Sequence, residues 1–104
     1  MNEKITLSEA TYYILLSLKT PLHGYGILKK VKLLTNNRLI LSSGTLYGAI
    51  TSLQKNNFIE LFSKEQGKKG KKNYVMTPLG FEVLKSEINR FKEMAENGRS
   101  EISK

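Results

Sequence analysis

Residues 42–55 read SSGTLYGAITSLQK, and this stretch decides the fold. Ser42-Ser43 offers a helix N-cap, and Asn56-Asn57 tolerate the left-handed conformation that often ends a helix. The stretch therefore predicts a helix over about 44–55, with one apolar face and one small, polar face. The apolar residues repeat at i, i+3, i+4 and i+7: Leu46, Ala49, Ile50 and Leu53.

Two β-prone segments follow this helix, at 58–63 and 72–77. Both are rich in the aromatic and β-branched residues that favour strands. The chain between them contains Gly67, Gly70 and several lysines, a composition typical of a turn. The two segments therefore predict a β-hairpin with a long basic tip.

Upstream, the sequence predicts two further helices. Thr6-Leu7-Ser8-Glu9 has the form of a capping box, so the first helix is expected over about 7–19, until Thr20-Pro21 stops it. Apolar spacing predicts a second helix over about 24–35. The segment 38–41 is short and apolar, and we expect it to form a minimal strand.

The last quarter of the chain predicts one long helix. Thr77 is the expected N-cap and Pro78 the first helical residue, and the helix should run over about 78–96 and fray at Asn97-Gly98. Its apolar residues are spaced 3, 4, 3, 4, which is an a/d seam of barely two heptads. A seam this short needs a partner surface, and we expect a second copy of the chain; the alternative is the first helix of the same chain. The predicted dimer interface consists of Phe81, Leu84, Ile88, Phe91 and Ala95.

The order of these elements predicts the fold class. Three compact helices followed by a hairpin are typical of a winged helix-turn-helix. We therefore expect a mainly α protein with a small β-hairpin, in which residues 1–77 form a winged helix-turn-helix DNA-binding domain. Residues 78–104 are expected to form one C-terminal dimerisation helix with a frayed tail.

The composition of the 104 residues disfavours most classes of enzyme. There is no Cys and no Asp, which removes disulfides, thiolate nucleophiles and a Ser-His-Asp triad, and the single histidine cannot supply a usual zinc or iron site. We therefore expect neither enzymatic activity nor a metal or other cofactor. No apolar run approaches the ~20 residues of a membrane span, and Met1–Lys4 leads into no signal-peptide cleavage site. The expectation is a cytoplasmic protein without a membrane partner.

The distribution of charge predicts a polyanionic partner. Lys and Arg number 17 against 9 acidic residues, and the whole formal excess of +8 lies before residue 81. Five lysines fall within 64–72, and Lys29, Lys30 and Lys32 form a second group. A basic unit followed by a neutral tail favours polyanion binding by the first part and a separate role for the second. The alternative is that the lysines only solvate the surface.

Four groups of residues form a further pattern: ATYYILLSL at 10–18, PLHGYGI at 21–27, GTLYGAI at 44–50 with Leu53, and KNY at 72–74 with TPLG at 77–80. The pattern resembles the PadR family of bacterial transcriptional regulators over about 7–91, and GTLY is its most specific piece. The resemblance implies a winged-helix repressor that dimerises through its C-terminal helix and acts at operators. It also makes a small hydrophobic effector a candidate partner, since relatives bind phenolic or drug-like compounds. Gly48 and Asn73 depart from the family, which often has proline and a second aromatic there, and the single C-terminal helix indicates the short subtype.

The outer face of the helix over 44–55 is the predicted reading surface for a pseudo-palindromic DNA duplex. Ser43 and Thr45 are expected to contact phosphates, together with the first amides of the helix, and Thr51 and Lys55 to reach base edges. No arginine–guanine or asparagine–adenine pair is available, so we expect readout that is modest or shape-based. The predicted recognition-helix residues are Ser43, Thr45, Tyr47, Gly48, Thr51, Ser52 and Lys55, and the predicted wing residues are Lys68, Lys69, Lys71 and Lys72.

Several other side chains have a structural alternative. Tyr47 either faces DNA or packs between helices. His23 is interpreted as structural, at the start of the second helix. Tyr12, Tyr13 and Tyr25 are expected in the core and not as stacking platforms for bases.

Two other functions stay open at this point. An RNA- or single-strand-binding module would stack bases on the hairpin aromatics Phe58, Phe62 and Tyr74, although the fold needs these rings in its core. A protein-interaction adaptor would use the heptad seam and keep its lysines for solvation only. Neither glycine cluster, at 23–26 or at 67–71, has the spacing of a nucleotide-binding loop.

Overall fold

The computed structural model describes residues 5–64 and 71–104. Within these ranges the chain is mostly helical and carries one antiparallel hairpin, which confirms the predicted fold class. The predicted tip of the hairpin, at 65–70, lies outside the described residues. The elements are α1 (Glu9–Ser17), α2 (Gly24–Leu34), α3 (Ser43–Lys55), β1 (Ile59–Lys64), β2 (Lys72–Met76) and α4 (Pro78–Ile102).

Helix α1 begins two residues later than its capping-box pattern predicts. The N-cap is Ser8, whose Oγ accepts a hydrogen bond from the Thr11 amide at 3.1 Å. The predicted N-cap at Thr6 is therefore wrong. Leu7 lies outside the helix, and its backbone N–H donates to the Glu87 carboxylate on α4.

The core lies where α1, α2 and α3 meet beneath the hairpin. The predicted inward stripe of α3 is confirmed, since Leu46, Ile50 and Leu53 are at most 2% exposed and Ala49 is half-buried. Burial of this stripe fixes α3 on the domain and leaves its opposite face free. The other buried apolar residues are Ile14, Leu15, Leu18, Ile27, Val31, Phe58, Ile59, Tyr74 and Leu84.

The hairpin contains an irregularity that the strand pattern did not predict. Leu61 pairs with Tyr74, but Ser63 pairs with Asn73, so the register shifts at Phe62. A bulge of this kind leaves one residue unpaired and breaks the alternation of faces. Phe62 lies three residues after the buried Ile59, on the opposite face of the strand, and is 61% exposed. The prediction that it belongs to the core is therefore wrong; Phe58 and Tyr74 are buried as predicted.

Besides β1 and β2, the extended pairing in this structure involves Leu22 and not residues 38–41, where the sequence predicts a minimal strand. Leu22 pairs with Tyr74 of β2 through two backbone hydrogen bonds of 2.8 and 3.0 Å. Residues 38–41, predicted as a minimal strand, form no strand. Asn36 and Asn37 end α2 in the left-handed region, and the Leu39 amide then donates to the Thr35 hydroxyl instead of to a neighbouring strand.

Helix α4 is longer than its sequence predicts. It continues through Asn97-Gly98 to Ile102 and is capped by Ser103, so the predicted fraying after residue 96 is wrong. One helical glycine costs about 1 kcal/mol, which a long helix tolerates. Its first half packs on the core through Gly80, Leu84 and Glu87, whereas every residue from 92 onward is exposed.

The start of α4 is fixed to the corner between α3 and β1. The Thr77 hydroxyl caps the helix by accepting from the Gly80 amide, and it donates to the Asn57 carbonyl at 2.7 Å. Asn57 has φ 63°, which confirms the predicted left-handed end of α3. A Cβ at Gly80 would collide with the Phe58 carbonyl oxygen, so only glycine lets the helix approach this closely.

Candidate nucleic-acid interface

Helix α3 presents a continuous polar face to solvent. All seven residues predicted for this face are exposed, and they lie opposite the buried stripe of the same helix. A helix held by one face and open on the other has the form needed to enter a major groove. These residues are Ser43, Thr45, Tyr47, Gly48, Thr51, Ser52 and Lys55.

The N-terminus of α3 is capped by Ser42 and not by Ser43. Ser42 Oγ accepts from the Thr45 amide at 3.1 Å and donates to Thr45 Oγ1 at 3.0 Å. The Leu46 amide bonds to the Ser42 carbonyl, so the amides of Ser43 and Gly44 remain for an external acceptor. These two amides point to anion binding at the start of the helix.

The hydroxyl of Thr51 is engaged within its own helix. Its Oγ1 donates to the Tyr47 carbonyl at 2.9 Å, so its proton is committed. The methyl group and the remaining lone pairs of the oxygen are left for an external contact. One turn further on, Asn56 Nδ2 donates to the Ser52 carbonyl, and Lys55 is exposed beside them.

Tyr47 packs against α2 and is also exposed, so its packing role is confirmed and its contact with DNA stays a prediction. Its side chain lies over the start of α2, where a Cβ on Gly24 would come within 3.1 Å of Tyr47 Cζ and would clash with the hydroxyl. The residue is nevertheless 52% exposed. Gly24 therefore makes room for the Tyr47 ring, and the ring links α3 to α2 at the surface.

The hairpin carries several exposed lysines, and two of them, Lys71 and Lys72, line the same cleft as Tyr47 of α3. Lys64 and Lys72 are direct partners at the open end of the β1–β2 ladder, and Lys71 comes immediately before Lys72; all three are exposed. The other predicted wing residues, Lys68 and Lys69, lie outside the described residues. The wing is the β1–β2 hairpin. Its described lysines therefore place positive charge at the end of the ladder farthest from Ile59 and Met76.

A cleft of about 370 Å³ lies between α2, α3 and the wing. We call it the α2–wing cleft, and its walls include Gly24, Tyr47, Lys72, Tyr74 and His23. The sequence did not associate Gly24 with a binding site, and it considered Tyr74 only as a stacking platform for single strands. No local pattern could have placed them in this cleft, because the cleft depends on the long-range pairing of Leu22 with β2.

The tyrosines and the histidine outside α3 have mixed positions. Tyr12 and Tyr13 are half-buried and pack edge to face, with ring centroids 5.3 Å apart. Tyr25 is 66% exposed, so the prediction that it lies in the core is wrong: it points outward from α2 with Lys29 Nζ 5.5 Å from its ring. His23 is the N-cap residue of α2, but its side chain makes no capping hydrogen bond.

The residues of the heptad seam divide into two groups. Leu84 is 4% exposed and belongs to the core of its own chain, and Phe91 packs edge-on against Tyr12 with centroids 4.9 Å apart. Phe81 and Ile88 are each more than 40% exposed, and Ala95 is exposed on the free half of α4. The part of the seam that remains open to a partner is therefore its outer edge.

Within residues 5–64 and 71–104, no three His, Cys, Asp or Glu side chains lie close enough to bind a metal ion together. No helix in the described part of the chain combines the length and apolar character needed to cross a bilayer.

A helical unit that exposes its third helix beside a basic hairpin defines the winged helix-turn-helix class. The family model described as "Transcriptional regulator PadR-like family" matches residues 5–86, and the chain belongs to this family. The resemblance inferred from the sequence motifs is thereby confirmed. Transcriptional regulators are generally not enzymes. No curated protein matches the chain.

Solved structures show the same fold. A transcriptional regulator from Clostridium thermocellum superposes with a TM-score of 0.78 at 23% identity, over 88% of this chain and 90% of that one. A PadR family regulator from Clostridium difficile gives 0.76 at 22% identity, over 91% and 99%. Bacillus subtilis PadR, solved in complex with operator DNA, gives 0.67 at 28% identity, over 77% of this chain and 46% of that one.

Proposed function

We propose that this protein is a dimeric transcriptional repressor that binds pseudo-palindromic duplex DNA through α3 and the wing. The observation that carries the proposal is the division of α3 into two faces. Its apolar stripe is at most 2% exposed at Leu46, Ile50 and Leu53, while its polar face is open along its whole length. Packing within the chain engages only part of this face: Tyr47 lies over Gly24, and the other predicted residues stay exposed.

Charge supports a nucleic acid as the partner. The basic excess lies in the first 80 residues, and the lysines of the wing lie on the same unit as α3. Lysine on a wing provides a point charge for phosphate contact, while the small polar residues of α3 suit close approach to base edges. The related Bacillus subtilis PadR was solved with operator DNA, which favours duplex DNA over other polyanions.

The single-strand alternative has less support. A stacking platform needs ring faces that are open to solvent. Phe58 is 5% exposed and Tyr74 is 7% exposed, and their rings are part of the core. Only Phe62 among the three hairpin aromatics is exposed, and one ring does not make a platform for successive bases.

The outer edge of α4 is the proposed dimer interface. Phe81 and Ile88 expose apolar surface along this edge, and the helix extends beyond its own domain after Phe91. A second copy packed on the same edge would bury both side chains and place two α3 helices on one duplex. A dimer bound over a promoter would exclude polymerase, and such a repressor would act in the cytoplasm.

A cleft of about 290 Å³ between α1 and α4 is the proposed position for a small hydrophobic effector. Leu7, Tyr12 and Phe91 provide its apolar and aromatic walls. Because this cleft adjoins the proposed dimer interface, a bound aromatic molecule would alter the packing of α4. Titration of phenolic compounds into the protein–DNA complex, followed by release of labelled DNA, tests this assignment.

Selection of bound fragments from random duplex DNA tests the main proposal. The expected result is an enriched sequence with two inverted half-sites, bound far more tightly as a duplex than as either single strand at the same salt. A reporter gene placed behind the selected site should lose expression when the protein is present. Absence of duplex binding at low salt, or equal binding of single strands, would contradict the proposal.

A further inference from the structure

The α2–wing cleft collects hydrogen-bond donors from three separate elements. Tyr47 comes from α3, the start of α2 contributes the backbone at Gly24, and β2 contributes Lys72 and Tyr74. Among residues 5–64 and 71–104, the residues that line the cleft include no Asp or Glu. A surface of this composition suits an anionic ligand.

Tyr74 provides an unused donor at the floor of the cleft. The residue is 7% exposed and its ring is part of the core, yet its hydroxyl has no hydrogen-bond partner among residues 5–64 and 71–104. Tyr74 is one of the residues that line the cleft, so its hydroxyl is the polar group that it can offer to a ligand there. Burial, with Tyr47 as a smaller cause, raises the pKa of Tyr74, so the hydroxyl stays protonated and can donate.

The start of α2 adds backbone donors on the same side. The Ile27 amide bonds to the His23 carbonyl, which leaves the amides of Gly24, Tyr25 and Gly26 without an intrahelical acceptor. The N-cap residue His23 gives them no side-chain hydrogen bond. The partial positive charge of the helix N-terminus therefore faces the cleft without internal compensation.

We propose that the α2–wing cleft binds one phosphodiester of the DNA backbone, with the Tyr74 and Tyr47 hydroxyls and the α2 amides donating to its oxygens and Lys72 balancing its charge. The inference rests on the proposed function, since the phosphate belongs to the duplex that α3 enters. It goes further by assigning a buried tyrosine and the start of α2 to the interface. One phosphate held by α2, α3 and β2 together would fix the depth and register of α3 in the groove.

Removal of single hydroxyls tests the assignment on the selected duplex. Tyr74→Phe and Tyr47→Phe should each weaken binding roughly tenfold, because a hydrogen bond to a charged group is lost. The preferred sequence should not change, since the contact is to the backbone. Tyr13→Phe is the matched control, because Tyr13 is half-buried and lies outside the cleft; its affinity should equal that of the wild type.

A displacement variant probes the geometry while keeping both hydroxyls. In Gly24→Ala the new methyl group would meet the Tyr47 hydroxyl, and the exposed ring can swing away. Affinity should fall by about the same factor as in Tyr47→Phe, with no loss of thermal stability. Gly98→Ala is the control, since a Cβ there meets nothing within 4 Å and the site is far along α4.

Duplexes that carry one uncharged methylphosphonate at a time identify the phosphate. Wild-type protein should lose affinity at several positions, and at one position per half-site the loss should be smaller for Tyr74→Phe than for the wild type. If the wild type binds the duplex but Tyr74→Phe matches it at every position, the inference is overturned and the proposed function stands. If inorganic phosphate alone shifts the amide signals of Gly24 and Tyr25 while no backbone position is sensitive, the cleft takes free phosphate and the DNA assignment fails. Failure of the wild type to bind any duplex would instead remove the proposed function.

Discussion

Glu87 of α4 accepts a hydrogen bond from the backbone N–H of Leu7, 80 residues earlier in the chain. The carboxylate is 1% exposed, and it also accepts from Nε and Nη2 of Arg90. The hydrogen bond from Arg90 lowers the pKa of Glu87, the Leu7 amide lowers it further, and burial opposes both. A charged group therefore joins the N-terminal segment to the helix that carries the proposed dimer interface.

The first prediction concerns the pH dependence of this contact. Because the folded pKa lies below the ordinary 4.5, the stabilisation is fully present above that value and is lost as pH falls through the folded pKa. Glu87→Gln should lower the free energy of unfolding by about 1–3 kcal/mol at neutral pH and flatten its acid dependence. Urea unfolding at several pH values measures both effects. Glu96→Gln, at an exposed position of α4, is the control, and equal losses in the two variants would contradict the prediction.

The second prediction separates the two serines at the start of α3. Ser42→Ala should lower the free energy of unfolding by about 1 kcal/mol, because Ser42 Oγ caps the helix. Ser43→Ala should cost less than about 0.5 kcal/mol, as surface changes usually do. Thermal unfolding of the two variants decides the matter. The reverse order of stability would show that Ser42 is not the cap in solution.

The third prediction concerns base readout by Thr51. Since its hydroxyl donates to the Tyr47 carbonyl, we expect the methyl group to contact a thymine methyl or another apolar base edge. Thr51→Val should then keep the base preference, while Thr51→Ser and Thr51→Ala should change it at the same operator position. Repeating the DNA selection with each variant provides the comparison. Retention of the preference in Thr51→Ser but not in Thr51→Val would assign the readout to the oxygen.

The fourth prediction tests the outer edge of α4. Ile88→Glu should give monomers, because each copy would bury an unpaired charge at the proposed interface. Ile88 is a better site than Phe91 for this test, since Phe91 also packs on Tyr12 of its own chain. Sedimentation at micromolar concentration measures the association. Asn89→Glu adds the same charge at a neighbouring exposed position and should leave the dimer intact; dissociation of both variants would argue against a specific edge.

The fifth prediction concerns the wing as a source of charge. Replacement of Lys68, Lys69, Lys71 and Lys72 by alanine should weaken binding to all sequences alike. The slope of log K against log salt should fall by about 0.9 for each lysine that neutralises a phosphate. Alanine at Lys85, Lys92 and Lys104 of the C-terminal region supplies the control. An unchanged slope in the wing variant would show that these lysines are not at the interface.

Elements that depend on local pattern could be predicted from the sequence. The inward stripe of α3, the Thr77 cap and the hairpin each follow from residues that are near neighbours along the chain. The predictions from sequence failed where the structure depends on contacts between residues that are far apart along the chain. The bond between Leu7 and Glu87 and the pairing of Leu22 with Tyr74 join residues that are far apart along the chain, and no local pattern contains them.

One part of the candidate site could be predicted from local sequence patterns, and another part could not. The polar face of α3 could be read from its periodicity, because exposure follows directly from the position of the buried stripe. The α2–wing cleft could not, because Tyr74 enters it only through the pairing of Leu22 with β2, and Tyr47 only through the space above Gly24. Both contacts join residues more than 20 positions apart, beyond the reach of any helical or strand repeat.

The unbroken course of α4 has a mechanical consequence. Its 25 residues span about 37 Å, at 1.5 Å per residue. Because its first half is packed on the core, the helix and the rest of the domain rotate together as a rigid unit. In the proposed dimer, the separation of the two α3 helices is therefore set by the angle at which the two α4 helices cross. A change of roughly 5° in that angle moves the far end of a 37 Å lever by about 3 Å, close to the 3.4 Å rise of one base pair. A ligand or substitution that changes this crossing angle by a few degrees would change the distance between the two α3 helices. The two helices would then no longer match the spacing of the two half-sites on the DNA.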